Sequence, residues 1–150
     1  GFDDQEREVT TDTPAGSVVI GGDAGNNKPK PPRDSSTSAQ VEQLAKGADI
    51  IVHSTIHPVM GLGKGSGFPP PIYFRQSTAT DLGAMAKRTG SKHLMLTHLI
   101  PPMGAKRQGP YPIPGGALDE AAYKSAVSDS GFTGNTVVGT ELATLRLPAK

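Results

Sequence analysis

Residues 77–102, STATDLGAMAKRTGSKHLMLTHLIPP, decide the fold. Ser77 or Thr78 can cap a helix over ATDLGAMAKRTG, in which Leu82, Met85 and Ala86 recur at helical spacing and Lys87 and Arg88 sit near the negative C-terminal end. After Gly90 the run His93–Thr97 reads as a buried strand, with His98 just past its end. The same cap, helix, glycine and strand recur upstream. Ser38 caps a predicted helix over 39–47 with Val41, Leu44 and Ala45 on one face, and Asp49–His53 follows as the next strand. Earlier still, EVTTDTPAGSVVIGGD reads as two short strands around the turn Pro14-Ala15-Gly16-Ser17. Its buried β-branched run is Val18, Val19 and Ile20, halted by Gly21-Gly22. Downstream, Leu118–Ser130 has helical spacing at Ala122, Ala126 and Val127, and strands are predicted at 135–138 and 142–147. The order β-β-α-β-α-β-α-β-β predicts an α/β fold with parallel pairs and right-handed crossovers.

The 150 residues suffice for one domain with a real core. The 19 glycines and 14 prolines cluster between the apolar runs, which predicts ordered elements joined by long surface loops. Two of these, Gly61–Tyr73 and Leu99–Gly116, are expected to wall a pocket and set its specificity. A net charge of +1 without a basic stripe argues against nucleic acid as a partner. No cysteine is present, so a metal would have to use His, Asp and water. No apolar run approaches the roughly 18 to 20 residues of a membrane span, and the N-terminus has no signal-peptide core. A soluble chain is expected, with cytoplasm and periplasm equally compatible.

In parallel sheets, ligands gather outside the carboxyl ends of the strands. Asp23, His53 and His98 all fall at such ends and are expected to converge on one edge, an open constellation suited to a divalent metal. Taken singly, each has a plain structural role: Asp after Gly-Gly forms turns, and a strand-end His is commonly a satisfied polar group or a cap. Three together weigh against coincidence. His93 starts a strand and is read as structural, and His57 is either a substitute for His53 or a loop residue packed beside Pro58. Lys64, Arg75, Lys106 and Arg107 lie on or beside the long loops, where they could meet an anionic substrate or simply be solvated.

The stretches SVVIGGDAG, LAKGADIIVHS and STATDLGAMAKRTGSKHLMLTHLIPP together resemble the second half of metallo-β-lactamase-fold hydrolases, in the ribonuclease Z and arylsulfatase-like branch. The resemblance rests on order and spacing, since any one motif is weak. It implies the C-terminal half of an αββα sandwich, a mixed sheet with helices on its outer face. It further implies that Asp23 bridges two divalent metal ions, zinc first with manganese or iron as alternatives, and that His98 holds the second. The activity implied is hydrolysis by metal-activated water, with His53 as a further catalytic residue. The sequence departs from that pattern. The family's His-Glu reads His53-Ser54, and Gln76 stands where ribonuclease Z has a histidine, so a small-molecule ester, sulfate, phosphate or lactam is expected in place of tRNA. The string His-X-His-X-Asp-His of the family's first half does not occur. The chain is therefore expected to be a fragment, inactive alone, whose partner is the missing N-terminal half, meeting it across an apolar sheet face. Homo-oligomerisation is also compatible with the sequence. Two other classes compete: a binding module that keeps the fold without the chemistry, and a phosphate-binding domain using the glycine-rich Gly61–Gly67 loop. The latter is disfavoured because Pro69–Pro71 intervene before any helix.

Overall fold

The computed structural model describes residues 9–13, 16–140 and 143–147. Its main sheet contains β1 (Val9–Thr13), β2 (Gly16–Gly22), β3 (Ile50–Ile56), β4 (His93–Ile100) and β7 (Asn135–Val138), in the spatial order β1-β2-β3-β4-β7. β1 is antiparallel to β2, whereas β2, β3, β4 and β7 run parallel. The intervening helices are α1 (Ala39–Ala45), α3 (Ala79–Thr89) and α4 (Glu120–Ser128), with a four-residue α2 (Pro70–Tyr73) in the loop before α3. This is the mixed α/β sheet that the alternating pattern predicts.

The caps follow from local chemistry. The Ser38 side chain accepts from Val41 N, the Thr78 side chain from Asp81 N, and Asp119 from Ala122 N, so each satisfies a backbone donor that the first helical turn leaves open. Gly90 closes α3 in the left-handed conformation at φ 75°. α3 buries Ala79, Leu82, Gly83, Met85, Ala86 and Thr89, the stripe expected of a helix lying on a sheet. Of these, Ala79, Leu82, Met85 and Ala86 join Val41, Ala45, Tyr123, Ala126 and Val127 of α1 and α4 and Val19, Ile51, Leu94, Leu96 and Val138 of the sheet in one core. The helices thus form a single layer on one face of the sheet. Full burial of side chains such as Leu82 and Met85 contributes about 1.5–3 kcal/mol each.

Several expectations need correction. Ile20 is 41% exposed and Val18 half-buried, because strand alternation turns only Val19 toward the helices. Leu44 is exposed, since α1 ends at Ala45 and rests on Val41 and Ala45 alone. Residues 143–147 form no strand, and Leu142 and the turn at Pro14-Ala15 lie outside the described residues. β3 and β4 run three residues further than expected, to Ile56 and Ile100. The two glycine-rich loops pack on each other: Ile56, Met60, Phe68 and Ile113 form a second core, with Phe68 edge-on to Tyr111 at 5.4 Å. Within the second loop, β5 (Arg107–Gln108) and β6 (Tyr111–Pro112) make a small hairpin.

α3 and α4 meet at a glycine. A Cβ on Gly83 would lie 2.5 Å from Ser130 Oγ and 2.7 Å from Val127 O, so the two helices approach only because that carbon is missing. Gly83→Ala gains about 1 kcal/mol of helix propensity but should lose about 1–3 kcal/mol to overpacking. A net fall in the urea midpoint followed by circular dichroism is expected. An unchanged or raised midpoint would show that α4 yields without cost.

Candidate metal centre at the carboxyl edge of the sheet

Three parallel strands deliver the candidate residues. β3 is the centre, and each neighbour carries one more residue than β3 pairs with. On β2 the register passes from Ile20↔Val52 to Gly22↔His53, leaving Gly21 as an extra residue. On β4 it passes from Ser54↔Thr97 to Thr55↔Leu99, leaving His98. Such bulges bend a strand and re-aim its side chains. Gly22 has φ 55°, and the turn from Gly21 to Ala24 is closed by Ala24 N donating to Gly21 O at 3.1 Å, which puts Asp23 near its tip. His98 has φ 42° and is the single described non-glycine residue in the left-handed region. That conformation costs roughly 1–2 kcal/mol for a residue with a Cβ. Strain of this kind concentrates at functional positions.

The two bulges bring Asp23 and His98 together across 75 positions of sequence: His98 Nδ1 lies 3.3 Å from Asp23 Oδ1. The His98 side chain is 69% exposed and that of Asp23 30%, so the pair stands at the rim. The separation suits a cation. Two donors each about 2.05 Å from a tetrahedral ion are about 3.3 Å apart. The carboxylate and imidazole are also the oxygen and nitrogen donors that zinc takes in the absence of thiolate. Among the described residues no group of three or more His, Cys, Asp or Glu is placed to hold a metal, and at 3.3 Å the Asp23 and His98 side chains form a hydrogen-bonded pair.

His53 has a different environment. Strand alternation puts it on the helix-facing side with Ile51, in the row Gly22-His53-Leu96-Val138, and it is 0% exposed. Its Nδ1 lies 2.7 Å from the Ser54 carbonyl, which can only accept, so that nitrogen carries the proton. The ring packs against the β2 bulge: a Cβ on Gly21 would lie 2.2 Å from His53 Cδ2. His57 is no substitute. Its Nδ1 accepts from Val59 N, its Nε2 donates to Ala122 O, and its ring meets Tyr123 edge-on at 5.1 Å. His93 Nδ1 accepts from Asn135 Nδ2 across the strand pair, in keeping with its structural assignment. Lys64, Arg75, Lys106 and Arg107 are exposed. A wide groove of about 910 Å³ lies elsewhere, between the 26–37 loop and Arg88, and is not lined by Asp23 or His98.

Some of this was readable in advance. A Gly-Gly pair ending a β-branched run is a bulge signal, and period two already puts His53 with Ile51. Nothing in the uninterrupted run HLMLTHLI marks His98 as a bulge.

No protein-family model matches the chain, and no curated protein matches it. Nine solved chains match its structure. One is the metallo-β-lactamase fold protein YhfI from Bacillus subtilis, with a TM-score of 0.55 and 14% identity over 89% of this chain. The architecture is therefore of the metallo-β-lactamase type. The chain spans 41% of the YhfI chain. Among the described residues no helix is long and apolar enough to cross a membrane.

Glycine accepts φ 42° without the steric cost that histidine bears. His98→Gly is therefore expected to leave stability unchanged or raised by about 1 kcal/mol, whereas Leu99→Gly, which strips a side chain packed on the main core, should lower it. Guanidinium unfolding of both variants checks this, and clear destabilisation by His98→Gly would contradict the strain. His57 supplies a pH effect. Desolvation chiefly lowers its pKa below the ordinary 6.5, outweighing the opposing backbone bond to Ala122. Below pH 6.5 the unfolded chain therefore binds a proton that the folded one resists. The His57 contribution should be complete above that pH and decline as pH falls through it, and His57→Asn should flatten this acid limb in pH-dependent denaturation.

Proposed function

We propose that the chain is part of a metal-dependent hydrolase in which Asp23 and His98 hold a divalent cation cluster at the sheet edge. The observation that carries this is the 3.3 Å approach of Asp23 Oδ1 to His98 Nδ1, reached through a strained histidine backbone. Asp23 contributes a carboxylate with two oxygens, able to serve two cations while offsetting their mutual repulsion. His98 contributes a neutral nitrogen donor that leaves the cation Lewis-acidic. A dinuclear centre of zinc, or of manganese or iron, supplies a water of lowered pKa and stabilises charge developing on the substrate. His53, without exposed surface, supports the Gly21-Gly22 bulge from beneath, and its burial speaks against a reacting role. The substrate class that fits is a small ester, sulfate, phosphate or lactam, since the ribonuclease Z histidine is replaced by Gln76 and the chain lacks a basic stripe.

The remaining ligands would come from a second half packed on the sheet. Parallel sheets are normally covered on both faces. Here the helices cover one face, while the other presents the cross-strand row Ile20-Val52-Met95-Val137, all four incompletely buried. Such an apolar row is the type of surface that a second sheet buries at about 10 Å spacing. The spare length of YhfI relative to this chain agrees with that arrangement.

The test is Zn²⁺ titration of the 150-residue chain followed by NMR at Asp23 and His98. Binding is expected to be weak with two ligands, to centre on these residues, and to be weakened about tenfold or more by Asp23→Ala or His98→Ala. Zinc perturbations that bypass both residues would refute the metal assignment. They would favour the second reading, a binding module that has kept the fold, for which Ser54 and the incomplete ligand set are the supporting observations.

A further inference from the structure

The turn that carries Asp23 is held from both sides by buried serines. On its N-terminal side the Gly22 carbonyl accepts a 2.7 Å hydrogen bond from Ser54 Oγ. On its C-terminal side the Ala24 carbonyl accepts a 3.0 Å bond from Ser77 Oγ. Ser54 is 3% exposed and Ser77 1% exposed, so water is poorly able to replace either hydroxyl. The two serines come from unrelated places. Ser54 belongs to β3, between the bulged β2 and β4, and its register partner Thr97 directly precedes His98. Ser77 directly precedes Thr78, the N-cap of α3.

Ser77 is itself anchored. Its Oγ also lies 3.3 Å from Ser36 O, and Ser36 donates through N and Oγ to Asp81 Oδ2 at 2.8 and 2.6 Å. The Asp81 backbone N in turn donates to Thr78 Oγ1. A chain of bonds thus runs from the first turn of α3 to the Ala24 carbonyl, one residue beyond Asp23. A shorter one runs from β3 to the peptide preceding Asp23.

We infer that Ser54 and Ser77 are positioning residues that tether the Gly22 and Ala24 carbonyls, one residue to either side of Asp23, and so fix its carboxylate against His98. The geometry has a simple logic. Asp23 sits in a turn, beyond the last ladder bond of β2, where sheet pairing does not hold the chain. Tethers at Gly22 and Ala24 leave the segment between them little freedom to rotate, which a ligand needs in order to keep its separation from a second donor on another strand. Ser54 is also the residue at which the chain departs from the family's His-Glu pattern. Its hydroxyl takes a supporting task that needs no charge. The metal role of the pair rests on the function proposed above, whereas the clamp does not.

Two measurements on the 150-residue chain test this, with Ser54→Ala, Ser77→Ala and the hydroxyl-retaining Ser77→Thr. The first is metal-free: hydrogen exchange at the Ala24 amide, with the Leu94 and Leu96 amides as internal references. Each alanine variant should speed exchange at Ala24 about tenfold beyond any change at the references, and Ser77→Thr should restore protection. The second is Zn²⁺ affinity, expected to fall about 10-fold to 100-fold in each alanine variant. Unchanged Ala24 exchange in both alanine variants would overturn the clamp. So would undiminished zinc affinity in both while Asp23→Ala loses it. Faster exchange at Ala24, with zinc binding insensitive to Asp23→Ala, would support the clamp and remove the metal assignment instead.

Discussion

β3 pairs on both sides with strands that are one residue too long for it. That mismatch governs the carboxyl edge of the sheet, because a strand with an unpaired residue must bend, and the bends fall at Gly21 and at His98. The two cases differ in cost. On β2, glycines absorb the deformation and the polar side chain follows one residue later in a turn. On β4, the histidine itself takes the left-handed backbone, and its side chain is turned out to the rim. Regular pairing would have laid both strands flat and left no reason for a carboxylate and an imidazole 75 positions apart to meet at 3.3 Å.

The rest of the molecule keeps that edge rigid. A continuous helix layer buries Val19, Ile51, Leu94, Leu96 and Val138, so the strands beneath the bulges have little freedom to slide. His53 belongs to this support: its ring fills the space that a side chain at Gly21 would need. The second core, where Phe68 meets Tyr111, ties the loop after β3 to the loop after β4. Loops rich in glycine and proline are here a packed extension of the sheet edge, with Ile56 and Ile100 continuing their strands into it.

One face of the sheet is unlike the other. A parallel sheet with apolar residues on both faces calls for two covering layers, and this chain supplies the helical one. The row Ile20-Val52-Met95-Val137 lies across the opposite face, and the Asp23–His98 pair lies at the carboxyl edge of the same sheet.

The choice of Thr78 over Ser77 as the α3 cap and the place of His98 inside β4 came from the fold; the sequence by itself determined the order of the main elements up to β7, the cap at Ser38, the apolar stripe of α3, the parallel strands and the place of Asp23 just past β2. These follow from local rules, since capping, helical spacing and β-branched runs act within a few residues. Tertiary structure decided which of the three candidate residues share an environment. The registers of β2 and β4 on β3 are long-range quantities, and a slip of one residue in either would send every side chain beyond it to the other face. The burial of Ile20 and Leu44 was overestimated for the same reason: apolar character is a property of the residue, while the layer that covers it is a property of the assembled sheet. Ser54 and Ser77 were invisible as a pair, because two ordinary hydroxyls come to bear on one turn only when folding brings them to the Gly22 and Ala24 carbonyls.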